Sequence, residues 1–134
     1  MLKSRILAGL LTLSAIAAAP AAISQTAPDY AAIIAAPDRS DPDRKLDTNR
    51  APAQWLAFIG AKPGMKILDI EAVYGWKAEL LARAVAPGGK VYAQNSEAAF
   101  ARVKDRLEAR LKTPAAANIV GGAAIRGSRA NGYA

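Results

Sequence analysis

Cysteine and histidine are both absent from the 134 residues. Without cysteine there are no disulfides and no thiolate chemistry. Without histidine the chain lacks the commonest metal ligand and the one side chain that titrates near neutrality unaided. Zinc sites and Ser-His or Cys-His nucleophilic machinery are thereby excluded, and no metal site is expected. Concentrated charge of one sign is missing too. Eighteen basic and eleven acidic residues leave a net charge of +7, which would draw phosphates at long range. Beyond residue 37, however, the two signs interleave, and no basic run is broken by aromatics in the manner of a single-strand binder. No nucleic-acid partner is expected.

What is present is 52% apolar and 22% charged residues, a globular composition with room for one domain and one core. Lys3 and Arg5 precede an apolar run without charge from Ile6 to Ala22, followed by Ile23 and Ser24. That is the plan of a secretory signal peptide. The run is rich in alanine and holds Pro20, so it falls short of the roughly 20 strongly apolar residues that a spanning helix needs. Residues 1–24 are therefore expected to be cleaved near Ser24, leaving a periplasmic or secreted protein without a membrane span.

Residues 25–50 form a charged lead-in. A calcium loop counted from Asp38 fails, because Asp43 stands where the sharp-turn glycine belongs and Asn49 where the closing glutamate belongs. A solvated, salt-bridged stretch is expected instead. Thr48 or Asn49 is placed to cap a helix whose first turn tolerates Pro52, with Trp55, Leu56 and Ile59 on one face and Gly60 as its stop. Met65 to Ile70 reads as a buried strand. Trp76, Leu80, Leu81, Ala84 and Val85 fall at helical spacing before Pro87-Gly88-Gly89. Lys90 to Gln94 reads as a second strand. Ser96 caps a third helix with Phe100, Val103, Leu107 and Leu111 inward and Lys104/Glu108 and Glu108/Lys112 paired outward. Asn118-Ile119-Val120 opens a third strand, and residues 121–134 read as an irregular tail. Alternating strands and helices at this spacing specify a parallel α/β unit.

The passages AAPDRSDPDRK, PAQWLAF, KPGMKILDI, ELLARAV and GGKVYAQN together resemble the class I S-adenosylmethionine-dependent methyltransferases, in particular exported bacterial members. The resemblance covers about Tyr30 to Val120. It implies an incomplete Rossmann-like methyltransferase fold over residues 51–120, C-terminally truncated, since a seven-stranded sheet would need strands beyond the third. It also implies S-adenosylmethionine as cofactor and an unknown methyl acceptor. The family's turn after the first strand usually follows Asp-x-Gly-x-Gly-x-Gly. Here Asp69 keeps the acid and Gly75 the last glycine, while Glu71 and Val73 occupy the first two glycine positions. The implied cofactor-binding residues are Asp69, Glu71, Ala72 and Gly75 in the turn, with Gln94 and Asn95 at the second strand's end, where the family commonly places an acid that accepts from the ribose hydroxyls.

Positions that must turn sharply from strand to helix often need positive φ, and a β-branched residue there is a steric outlier. Val73 is thus the most conspicuous obstruction, and Glu71 either adds negative charge or contacts the cofactor's amino group. Lys77 and Glu79 read as solvated, and Tyr74 and Trp76 as core, rim or adenine-stacking residues. The filled turn also suits a different class, a noncatalytic secreted α/β remnant or small interaction protein. A nicotinamide dinucleotide domain would need Gly-x-Gly-x-x-Gly, which Glu71 to Trp76 does not supply.

Overall fold

The computed structural model describes residues 26–123. The expected signal peptide and the tail after residue 123 lie outside the described residues. Three helices come first: α1 (Tyr30–Ala35), α2 (Asp41–Arg50) and α3 (Pro52–Ile59). Then β1 (Lys66–Ile70), α4 (Trp76–Val85), β2 (Lys90–Asn95), α5 (Glu97–Leu111), a short 3-10 turn (Pro114–Ala116) and β3 (Ile119–Ala123) follow in order.

The sheet order is β1-β2-β3, parallel throughout. Its register puts Asp69, Ala93 and Gly121 in one row and Leu68, Tyr92 and Val120 in the next. Successive residues of a strand point to opposite faces, so these rows lie on opposite sides. Asp69 pairs with Lys77 of α4, and a Cβ on Gly121 would stand 2.9 Å from Leu111 of α5. Both helices therefore cover the same face. Against it Leu56, Leu80, Leu81, Val85, Val91 and Ala93 form a buried core. On the other face Leu68 and Ile70 remain 51% and 64% exposed. The result is an incomplete Rossmann-like layer, a parallel sheet with these two crossover helices on one side.

Two expectations about the lead-in are corrected. Residues 41–50 are helical, begun by Ser40, whose side chain accepts from the Asp43 main-chain N, with Asp41 and Asp43 in the first turn, where acids favour the positive end of the helix dipole. Thr48 and Asn49 lie inside this helix and do not cap the next one. The left-handed Ala51 (φ 42°) separates α2 from α3. Nor is the segment simply solvated, because Arg39 and Asp43 are buried. Arg39 pairs with Asp47, and Asp43 with Arg110 of α5.

Downstream, α4, β2 and α5 form as expected. Ser96 caps α5 by accepting from the Ala99 main-chain N, and Lys104 meets Glu108 at 3.8 Å. The third strand continues through Gly121, Gly122 and Ala123, residues assigned from sequence to the tail. Absence of a side chain at Gly121 lets α5 lie close to β3. No helix among the described residues is long and apolar enough to cross a membrane.

Candidate functional site

Glu71 and Val73 both adopt positive φ, 56° and 55°, and Gly75 follows at 88°. The turn between β1 and α4 thus takes the left-handed conformations that glycine adopts freely, with side chains present at two of them. Nonglycine residues persist in such conformations when their surroundings over-determine the backbone, and the surroundings here can be named.

The end of β2 supplies most of the restraint. The Ala72 main-chain N donates to the Gln94 carbonyl at 2.9 Å, and the Gly75 N closes the turn on the Ala72 carbonyl at 2.8 Å. The Asn95 side chain, completely buried, accepts from the Val73 N at 2.7 Å and donates to the Val73 carbonyl at 3.2 Å. Glu71 reaches to the start of α5, where its Oε1 accepts from the Ser96 N at 3.0 Å. Gly75 is the N-cap of α4. A Cβ there would come within 2.9 Å of the Arg110 side chain.

Beneath the turn, Asp69 is 5% exposed. Its Oδ1 meets Lys77 Nζ at 2.8 Å, while Oδ2 is buried without a hydrogen-bond partner. Burial pushes the Asp69 carboxyl above its ordinary value, and Lys77 pulls it partly back. Lys77 is thus the acid's partner and not merely a solvated cation.

The six residues singled out from sequence, Asp69, Glu71, Ala72, Gly75, Gln94 and Asn95, therefore meet where the C-terminal ends of β1 and β2 lie side by side. Within the protein they carry different loads. The Asn95 amide is buried and occupied by Val73, so it positions the turn. Gln94 contributes its carbonyl to Ala72, and strand alternation turns its side chain away from the Asn95 face. The amides of Ala72, Val73 and Gly75 are all used within the protein. What the exposed side of the turn offers a ligand is an acceptor, the Glu71 carboxylate, whereas the partnerless oxygen of Asp69 is closed off beneath it.

The two aromatics of this region are already engaged within the protein. Trp76 is buried against Trp55, ring centroids 6.3 Å apart, and donates through Nε1 to Asp47 at 3.0 Å. Tyr74 has the Arg106 guanidinium 4.0 Å from its ring centre.

One functional support escaped the sequence. Arg110 donates from Nε to the Tyr74 carbonyl at 2.9 Å, from Nη2 to Asp43 at 2.9 Å, and from Nη1 to Glu79. Glu79, expected to be solvated, is buried and also accepts from Arg83. This cluster joins α2, α4 and α5 to the turn. Its available signal was spacing, since Arg110 lies three residues after inward Leu107 and Glu79 three after Trp76. A cavity of about 470 Å³ beside the cluster is lined by Tyr74, Glu79, Arg106, Arg110, Thr113 and Pro114, among others, but by none of residues 94–96. Among the described residues, no group of three or more acids, histidines or cysteines could hold a metal ion.

No protein-family model matches the chain. A 59-residue stretch is 41% identical to a protein-L-isoaspartate O-methyltransferase from Aeropyrum pernix, spanning 42% of this chain and 23% of that protein. A solved structure of a SAM-dependent methyltransferase from Aquifex aeolicus overlaps 65% of this chain and 48% of its own, with 24% identity and a TM-score of 0.49. The chain thus spans about a quarter of its curated relative's length and about half of the solved chain's.

Proposed function

We propose that the chain binds S-adenosylmethionine at the Glu71–Gly75 turn, as the donor-binding unit of a methyltransferase-type protein whose methyl acceptor is unassigned. The observation that carries this reading is the turn's backbone. Positive φ at residues 71, 73 and 75 keeps a glycine-type bend despite two side chains, directly above a buried acid. The 41% identity over 59 residues to a methyltransferase supports the same reading.

The residues present fit the donor groups of the cofactor. Its hydroxyls and ammonium are donors, while its carboxylate is an acceptor that an acidic turn does not favour. The turn answers with an acceptor on Glu71, and its own amides are engaged elsewhere. The Glu71 side chain is drawn aside onto Ser96. When bound, S-adenosylmethionine supplies an electrophilic methyl on a sulfonium, and transfer to an acceptor can proceed by positioning alone. Lys3, Arg5 and the apolar run to Ala22 support export of the protein, to a periplasm or beyond, after removal of residues 1–24.

Isothermal titration of the purified chain with S-adenosylmethionine tests the reading. Saturable one-to-one binding is expected, and no heat or thermal shift at millimolar ligand would overturn it. The exposed Leu68 and Ile70 on the uncovered sheet face favour a second reading, a noncatalytic interaction protein. Lack of cofactor binding together with association that is lost in Leu68→Lys would support that alternative.

A further inference from the structure

We propose that the cavity walled by α5, the 3-10 turn and the residues before α2 is a second ligand site, which takes a small organic monocarboxylate on Arg106. Its volume of about 470 Å³ lies within the roughly 300–1,000 Å³ of small-molecule sites. None of residues 71–73 or 94–96 lines it, so the site is independent of cofactor binding at the turn.

The hydrogen-bonding groups around this cavity are unevenly spent. Asp38 gives both carboxylate oxygens to Arg83, at 3.0 and 2.9 Å. Glu79 gives Oε1 to Arg83 and Oε2 to Arg110. Arg110 in turn is used on Glu79, Asp43 and the Tyr74 carbonyl. The acids of the cavity thus have cationic partners of their own. Arg106 has no acid: its guanidinium lies over the Tyr74 ring, 4.0 Å from the ring centre, and among the described residues it makes no hydrogen bond or ion pair. The hydroxyls of Tyr74 and Ser40, which also line the cavity, have no acceptor among the described residues. What remains for a ligand is therefore a set of donors led by a cation.

The form of that cation narrows the ligand. A guanidinium held over an aromatic ring keeps its N–H fork at the edge, where it matches a planar carboxylate through two parallel hydrogen bonds. Ala109, Pro114 and Ala115 supply the apolar part of the lining, which suits a carbon skeleton. Charge sets the upper limit. A dianion such as phosphate shares the space with Asp38 and Glu79 and is repelled by both, whereas a single negative charge is matched by Arg106.

Benzoate is the probe, with uncharged benzamide and inorganic phosphate as controls. Each is titrated into the full chain at constant ionic strength and followed by NMR of the Arg106 Nε and the amides of Ala109, Thr113 and Ala115. Benzoate should shift these signals to saturation at millimolar concentration, bind about tenfold more tightly than either control, and weaken by a similar factor in Arg106→Gln. Arg106 is exposed and contacts only the Tyr74 ring, so the variant should keep the wild-type unfolding midpoint. Absence of saturable shifts, undiminished benzoate binding by Arg106→Gln, or phosphate binding as tight as benzoate would overturn the proposal. Should Arg106→Gln lose its fold, the wild type still decides, because equal affinities for benzoate and benzamide contradict a carboxylate site.

Discussion

Asn95 grips Val73 by both main-chain groups, accepting from its N at 2.7 Å and donating to its carbonyl at 3.2 Å across 22 residues of sequence. A buried amide thereby holds a β-branched residue at φ 55°, a conformation that costs on the order of 1–3 kcal/mol. The strain of the turn and the buried amide are two sides of one arrangement.

Asn95→Ala should therefore destabilise the protein by about 2–3 kcal/mol, because it leaves two main-chain groups without partners beside a cavity. Urea unfolding measures this. Val73→Gly, which at an ordinary exposed site would lose up to about 1 kcal/mol to chain entropy, should be neutral or slightly stabilising here. The Asn95→Ala penalty should shrink in the Val73→Gly background. A full penalty in both backgrounds would separate the amide from the strain.

Arg110→Ala should cost about 3–5 kcal/mol, the range for breaking a largely buried ion pair and leaving its partners uncompensated. Glu79 and Asp43 are the acids left behind. The Tyr74 carbonyl would also lose its donor, so line broadening in amide NMR spectra should reach the turn at residues 71–75 and not stop at α5.

Gly75→Ala should destabilise by about 1–3 kcal/mol from its φ of 88° and from the 2.9 Å approach of a Cβ to Arg110. Gly60→Ala is the control. It shares a positive φ, 65°, but meets nothing within 4 Å, so it should show the backbone part of the loss alone. Denaturation midpoints of the two variants give the comparison.

Burial raises the Asp69 carboxyl above its ordinary value of 3.8, against the pull of Lys77. The native state then takes up this proton at a higher pH than the unfolded chain does. Its contribution to stability is fully present below 3.8 and is lost as pH rises through the native value. Asp69→Asn removes the dependence. Unfolding free energies measured from about pH 3 to 7 should therefore show wild type losing ground to the asparagine variant as pH rises. A gain would reverse the assignment.

Local signals in this chain were legible where they coincided with packing. Hydrophobic spacing from Trp76 to Val85 and from Phe100 to Leu111 marked α4 and α5, and Ser96 marked its cap. The mismatch of Glu71 and Val73 with a glycine-type turn marked an obstruction in the sequence, but not that both residues would nonetheless adopt positive φ. Helix α2 was not legible, since its charged residues look solvated until Asp43 meets Arg110, 67 residues away. The role of Asn95 was hidden for the same reason, because an amide that binds a chain segment 22 residues distant leaves no local pattern. Gly121 and Gly122 read as tail, because their pairing with Ala93 and Gln94 of β2 and the closeness of Leu111 to Gly121 leave no local pattern.

The claim that this cluttered turn is a ligand cradle is tested most directly by the amide NMR spectrum of the chain as S-adenosylhomocysteine is added. Shifts concentrated at Ala72, Val73, Gly75 and Ser96, saturating together, are the predicted result. Unmoved turn amides, or shifts confined to the Arg106–Thr113 cavity, would contradict it.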